Sequence, residues 1–142
     1  MTVASYAGKF RVAQPIEQAF PLFSPRGEEA WAPGWKPEIL YAPLSDWEEG
    51  MVFRTVRDGQ ETIWFVAKLD REAHHVTYHR VDAGTAAVTV DVACEPAGAQ
   101  TIVRVRYTFV ALSDEGAAQI ASRNQGEFDQ WMEEWEKAIA AI

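Results

Sequence analysis

From Tyr6 to Ala13 bulky and polar residues alternate, which predicts an opening strand. Pro15 then suits the first turn of a helix, where its missing N–H is no loss, and Ile16, Ala19, Phe20 and Phe23 follow at helical spacing. Pro21 inside that run removes a backbone bond, so the helix should be short and bent. Ser24-Pro25 reads as the cap and first residue of a second short helix, which Pro33-Gly34 stops just after Trp31. Between Ile39 and Leu112 the period is mostly two, broken at Glu49-Gly50, Asp58-Gly59, Asp82-Ala83-Gly84 and Pro96-Ala97-Gly98. Strands joined by turns this short are antiparallel neighbours, and Asp-Gly favours the positive φ of tight hairpins. After Leu112, Ser113 can cap a helix with Asp114 and Glu115 in its first turn, and no breaker follows before Ile142. One helix of about 28 residues, roughly 42 Å long, is expected. Its apolar stripe is Ala117, Ile120, Ala121, Phe128, Trp131, Met132, Trp135, Ile139 and Ile142.

This order predicts an α+β fold: a curved antiparallel sheet of about seven strands, two short helices after strand one, and a long C-terminal helix. That helix is the only segment long and apolar enough to cover the sheet's hydrophobic face. With no repeat, low-complexity tract or linker, residues 1–142 read as a single domain. Hydrophobic residues make up 48% of the chain and six tryptophans are among them, enough for a sizeable core. The net charge of -8, with basic residues scattered, weighs against nucleic-acid binding. No run is apolar enough to span a membrane, and Met1 to Gly8 carries no basic residue ahead of an apolar stretch, so a cytoplasmic location is expected.

The Pro-started segment Gln14-Pro15-Ile16-Glu17-Gln18-Ala19-Phe20, the run Trp31-Ala32-Pro33-Gly34-Trp35-Lys36-Pro37-Glu38, Glu49-Gly50-Met51-Val52-Phe53 and the closing Trp-rich helix carry a likeness. With the order of elements, they make the chain from Tyr6 to Ile142 resemble the SRPBCC superfamily, which includes START lipid-transfer domains, polyketide cyclase/dehydrase-like proteins and plant pollen allergens. The resemblance implies a helix-grip fold, a bent sheet wrapped on the terminal helix with a cavity between. It also suggests a lid at Trp31 and Trp35. The superfamily holds carriers, receptors, ring-closing enzymes and chaperone activators, so membership does not choose among them.

Strand parity assigns faces independently of that likeness. In Thr101 to Val110 the odd residues Val103, Val105, Tyr107 and Phe109 are expected inward, as are Val88, Val90, Val92 and Cys94, and Met51, Phe53 and Thr55. The same reading sends Ile63, Phe65, Ala67 and Leu69 inward and Trp64 and Val66 outward. If Val76 and Tyr78 face the helix, Arg80 does too; its guanidinium either meets a carboxylate, internal or on a ligand, or reaches solvent at the strand end. Asn124 falls within the helix's apolar stripe, so its amide is expected to bond either to something in the chamber or to nearby backbone or water. Trp31 and Trp35 form either the lid or core. The expected ligand-contacting set is Trp35, Phe53, Phe65, Tyr78, Arg80, Val90, Tyr107, Asn124, Phe128 and Trp131.

His75 and His79 would stand about 13 Å apart on one strand with His74 on the other face, so no metal site is expected. Cys94 reads as packed rather than nucleophilic. No phosphate-cradling loop, nucleophile elbow or dinucleotide fingerprint is present, and no cofactor is expected. The leading expectation is a binding protein enclosing one hydrophobic or aromatic small molecule, such as a lipid or polyketide. One alternative is a cyclase, dehydratase or hydrolase in which Tyr78, Arg80, His79 or Asn124 positions a carbonyl and moves a proton. Another is an interaction module such as a chaperone activator, or a homodimer, using an outer sheet face of Trp64, Val66, Val52, Val56, Ile102 and Val110.

Overall fold

The structure, a computed structural model, describes residues 2–142. Strand β1 (Val3–Val12) leads into a single turn of helix α1 (Ile16–Ala19) that tightens into a 3₁₀ turn at Phe20–Phe23, where Pro21 forbids a continuing α-helix. A second 3₁₀ turn spans Gly27–Ala30; Ser24 opens it by accepting the Gly27 N–H on its hydroxyl at 2.9 Å. Six strands follow: β2 (Glu38–Tyr41), β3 (Val52–Arg57), β4 (Gln60–Asp70), β5 (His75–Asp82), β6 (Ala86–Ala97) and β7 (Gln100–Ala111). They form one antiparallel sheet in the order β1-β7-β6-β5-β4-β3-β2. Asp58 and Gly59, at φ of 52° and 76°, close the β3–β4 hairpin with the paired positive dihedrals of a primed turn.

Parity holds on β5, β6 and β7, where Val76, Tyr78, Val88, Val90, Val92, Cys94, Val103, Val105, Tyr107 and Phe109 are buried. It inverts on β4. Trp64 and Val66 are buried, while Ile63 and Phe65 lie on the outer face with 40% and 46% of their surface exposed. Pairing explains this: Phe53 opposes Trp64 and Tyr78 opposes Val66, so both β4 residues share the inner face. The register then shifts between Val66 and Lys68, and Leu69 returns to the core side opposite Val76. A bulge puts Val66 and Leu69, three apart, on one face, which alternation cannot anticipate. The outer apolar face therefore keeps Val52, Val56, Ile102 and Val110 and takes Ile63, Phe65 and Val81 in place of Trp64 and Val66.

The terminal helix is also two helices, α2 (Asp114–Ala121) and α3 (Gln125–Ala140). Asn124 causes the break. Its backbone is extended and its side-chain oxygen accepts the Glu127 N–H at 2.9 Å, so the amide in the apolar stripe starts a new helix.

Helix α3 is seated off-centre. At Gly8 on β1 an added Cβ would stand 3.0 Å from Met132 Cγ and 3.3 Å from a Phe128 ring carbon, so the missing side chain lets the helix press onto that end of the sheet. Gln125 donates to the Ala7 carbonyl and Glu136 accepts the Arg11 N–H, which occupies the free edge of β1. The opposite half of the inner face, β3 to β5, is covered instead by the segment from Phe20 to Trp35. Gly27 is needed for that cover: a Cβ there would meet the Pro21 carbonyl oxygen at 1.9 Å and Leu22 Cα at 2.9 Å. Gly27→Ala is expected to destabilise the fold by about 1–3 kcal/mol in urea denaturation, because backbone must move to admit one methyl. An unchanged midpoint would contradict this packing.

Candidate functional site

Between the sheet, the Trp31–Trp35 segment and α3 lies a cavity of about 550 Å³. The sheet supplies Phe53, Thr55, Trp64, Tyr78, Arg80, Val90, Val92 and Tyr107; the covering segment supplies Glu28, Trp31 and Trp35; the helix supplies Trp131, Glu134 and Trp135. A second hollow of about 480 Å³ adjoins it, sharing Arg57, Arg80, Trp131 and Glu134 and reaching Arg123, Asn124 and Phe128. The first volume suits a ligand of drug-like size, and eight of its lining residues are aromatic.

Aromatic contacts brace that wall. Trp31 meets Trp135 at 5.2 Å and Trp35 meets Trp64 at 5.5 Å edge to face, and Tyr107 meets Trp131 at 4.8 Å in a tilted pair, each between ring centres. Each roof tryptophan is also tied by its indole N–H to its own segment, Trp31 to the Leu22 carbonyl and Trp35 to the Pro25 carbonyl, both at 2.8 Å. They therefore serve as core and as cavity lining together.

The polar groups inside divide into satisfied and unsatisfied. Tyr78 is satisfied: its hydroxyl donates to the Phe23 carbonyl at 2.6 Å and accepts from the Trp47 indole at 3.1 Å. Burial, reinforced by the charge of Glu28, raises it well above the ordinary phenol range, so it keeps its proton and bridges Phe23 and Trp47. Arg80 is loosely held. Its Nε is buried without a hydrogen bond, 3.5 Å from Asp82 Oδ2, and its guanidinium carbon lies 5.1 Å over the Trp64 ring. The 3.5 Å approach counts as an ion pair but fails as a hydrogen bond. Its two terminal nitrogens have no protein partner among the described residues and open onto the cavities.

Glu28 is the third such group, with Tyr107 beside it. Neighbouring Glu29 points out and pairs with Arg26 at 2.9 Å, whereas Glu28, one helical turn before Trp31, faces inward with that ring. The Glu28 carboxyl and the Tyr107 hydroxyl have no hydrogen-bond partner among the described residues, and neither is sealed from the cavity. Burial pushes the Glu28 acid well above the ordinary carboxylate range. Tyr107 is raised by burial too, and it feels Arg80 and Glu28 with opposite signs, so both charges stand near its hydroxyl.

Of the residues expected to meet a ligand, Trp35, Phe53, Tyr78, Arg80, Val90, Tyr107 and Trp131 line the main cavity, and Asn124 and Phe128 line the adjoining one. Phe65 does not, because the β4 inversion places it outside. Asn124 spends its oxygen on the helix cap. His79 is exposed on the outer face, bonded to Thr89 at 3.1 Å, and takes no part in the chamber. Cys94 is packed in the core, its thiol pushed up to about 12 by burial. Glu28, Trp64 and Trp135 were not anticipated as lining; for Glu28 the available signal was its three-residue spacing from Trp31.

Solved structures superpose on nearly the whole chain. Norcoclaurine synthase from Thalictrum flavum, in complex with dopamine and hydroxybenzaldehyde, matches at 13% identity over 99% of this chain and 88% of that one, with a TM-score of 0.67. Ara h 8.0201 matches at 16% identity over 99% of this chain and 100% of its own, TM-score 0.69. This is the helix-grip fold. The Zhui aromatase/cyclase from Streptomyces sp. R1128 shares it at 15% identity over 99% of this chain and 88% of that one, TM-score 0.61. All three are SRPBCC, Bet v 1-like helix-grip proteins, and at these identities the likeness carries the fold alone. No protein-family model matches the chain, and no curated protein matches it. No helix among the described residues is long and apolar enough to cross a membrane.

Within this helix-grip chamber the raised Glu28 acid links stability to pH. The unfolded chain ionises at the ordinary carboxylate pKa while burial holds the folded-state value above it, so this stabilisation is complete below the unfolded value and is lost as pH rises through the folded pKa. As pH rises above the ordinary carboxylate range, wild-type stability should fall by about 1.4 kcal/mol for each pH unit separating the two ionisations, and Glu28→Gln should abolish that fall. Urea melts of the two proteins over that rise in pH check it; parallel curves would contradict a desolvated acid.

Proposed function

We propose that the protein binds one aromatic or hydrophobic small molecule bearing an acidic group in the cavity between sheet and α3. The observation that carries this is the pairing of an aromatic chamber with the partnerless terminal nitrogens of Arg80 at its edge. A guanidinium whose nearest carboxylate, Asp82, approaches without a hydrogen bond gains from an anion delivered by a ligand, and the aromatic wall gains from a flat apolar body. The fold is compatible, since the norcoclaurine synthase structure named above holds two small aromatic molecules. Lipids and polyketide-like acids share the required chemistry of an apolar body and an anionic end.

A second reading is a homodimer through the outer face, supported by the half-exposed cluster of Ile63, Phe65 and Val81 on adjoining strands β4 and β5. Light scattering checks it: a dimer dissociated by Phe65→Ser supports the contact, and a strict monomer removes it.

Ligand binding has its own test. Five of the six tryptophans line the cavity, so occupancy should quench intrinsic fluorescence. The anionic probe anilinonaphthalene sulfonate is expected to bind at one site per chain. Arg80→Gln should weaken it by about 10-fold or more, the loss of a charge-assisted hydrogen bond, while the neutral probe Nile red is little affected. Equal weakening of both probes, or of neither, would overturn the role of Arg80.

A further inference from the structure

Glu28 has no structural task. Its carboxyl makes no ion pair or hydrogen bond among the described residues, and its neighbour Glu29 already satisfies Arg26. A carboxyl held in an aromatic chamber without a partner raises the free energy of the folded state whenever it ionises, so its presence there calls for a chemical use. The titratable and charged groups lining the same cavity are Arg57 of β3, Tyr78, Arg80 and Asp82 of β5, Tyr107 of β7 and Glu134 of α3. Tyr78 is fully bonded, Asp82 stands beside Arg80, and Arg57 gives a donor to the Pro33 carbonyl at 3.1 Å, whereas the Arg80 terminal nitrogens and the Tyr107 hydroxyl have no hydrogen-bond partner among the described residues.

From this geometry we infer that Glu28 is a general base and acid for proton transfer next to a carbonyl, and that the substrate class is an aromatic keto acid with an enolisable C–H. The inference rests on the binding reading above, because the aromatic body must first be held in the cavity. In the step, the C–H bond beside the carbonyl breaks and its proton passes to the Glu28 carboxylate. The bonding pair forms the C=C of the enolate, and the carbonyl π pair moves to oxygen, where Arg80 and the Tyr107 hydroxyl oppose the new negative charge. Return of a proton from Glu28 to carbon regenerates the ketone, and protonation at oxygen gives the enol. The exchange is redox-neutral and consumes nothing. The raised acid suits both directions, since a carboxylate in this environment is a stronger base than one in water and its conjugate acid persists nearer neutral pH.

Phenylpyruvate carries each required element, a ring, a carboxylate and an enolisable CH₂, and serves as the probe. Its binding is read by tryptophan quenching and its chemistry by deuterium incorporation at the CH₂ in D₂O, followed by proton NMR above the buffer background. Wild type is expected to bind it and accelerate exchange, with a rate that rises with pH through one ionisation above the ordinary carboxylate range. Glu28→Gln should still quench on addition of phenylpyruvate but lose at least about 100-fold in exchange rate. Binding by wild type without exchange, exchange by Glu28→Gln at the wild-type rate, or a wild-type rate independent of pH would each overturn the inference and leave the binding reading standing. Failure of both phenylpyruvate and anilinonaphthalene sulfonate to quench wild type would overturn both.

Discussion

The chamber depends on one buried hydroxyl. Tyr78 rises from the middle of the sheet, donates to the Phe23 carbonyl and accepts from the Trp47 indole, and so fastens the segment that carries Glu28, Trp31 and Trp35 over strands β3 to β5. These bonds form where water is excluded, and losing either partner would strand a buried polar group. Because the segment is irregular, with two 3₁₀ turns and three prolines between Pro21 and Pro33, no sheet ladder or long helix could hold it in place. Its position over the sheet is set by this bridge, by the close approach at Gly27, and by the roof tryptophans bonding to Leu22 and Pro25.

The second determinant is the lopsided seat of α3. Gly8 lets Phe128 and Met132 sink onto β1, so the helix does not lie along the middle of the curved sheet. Edge-to-face and tilted aromatic pairs then prop the remaining gap, because rings set at steep angles fill corners without filling the centre. The space that remains is apolar along most of its wall and polar at a few points. Those points, Glu28, Arg80 and Tyr107, are what a ligand must match, since displacing water from an unpaired buried group without replacing its hydrogen bonds is unfavourable.

Much of this architecture is written in local chemistry. Alternation on β5 to β7 identified Tyr78, Arg80, Val90 and Tyr107 as inward-facing, and Asp58-Gly59 carries the hairpin dihedrals its residues favour. Errors arose where tertiary pairing overrode period. The β4 bulge reversed Phe65 and Trp64, which no reading of that strand alone detects, because both faces of β4 are apolar enough to be the inner one. Asn124 interrupts what looks like a continuous stripe, and Asn followed three residues later by Glu127 is also a pattern that opens a helix. Glu28 offers only its three-residue spacing from Trp31 as a signal. Its exposed twin Glu29 sits beside it in sequence, and only the turn geometry sends one carboxylate into the chamber and the other to Arg26.

Whether a ligand enters the interior or settles on the outer apolar face decides the account, and isotope-filtered NOE spectroscopy of the labelled protein with anilinonaphthalene sulfonate reads this directly. Cross-peaks from the probe's ring protons to Tyr107 on the sheet and Trp131 on the helix, in the same complex, are the result expected for a chamber held open between them. Cross-peaks confined to Ile63, Phe65 and Val81 would place the molecule on the outside and contradict it.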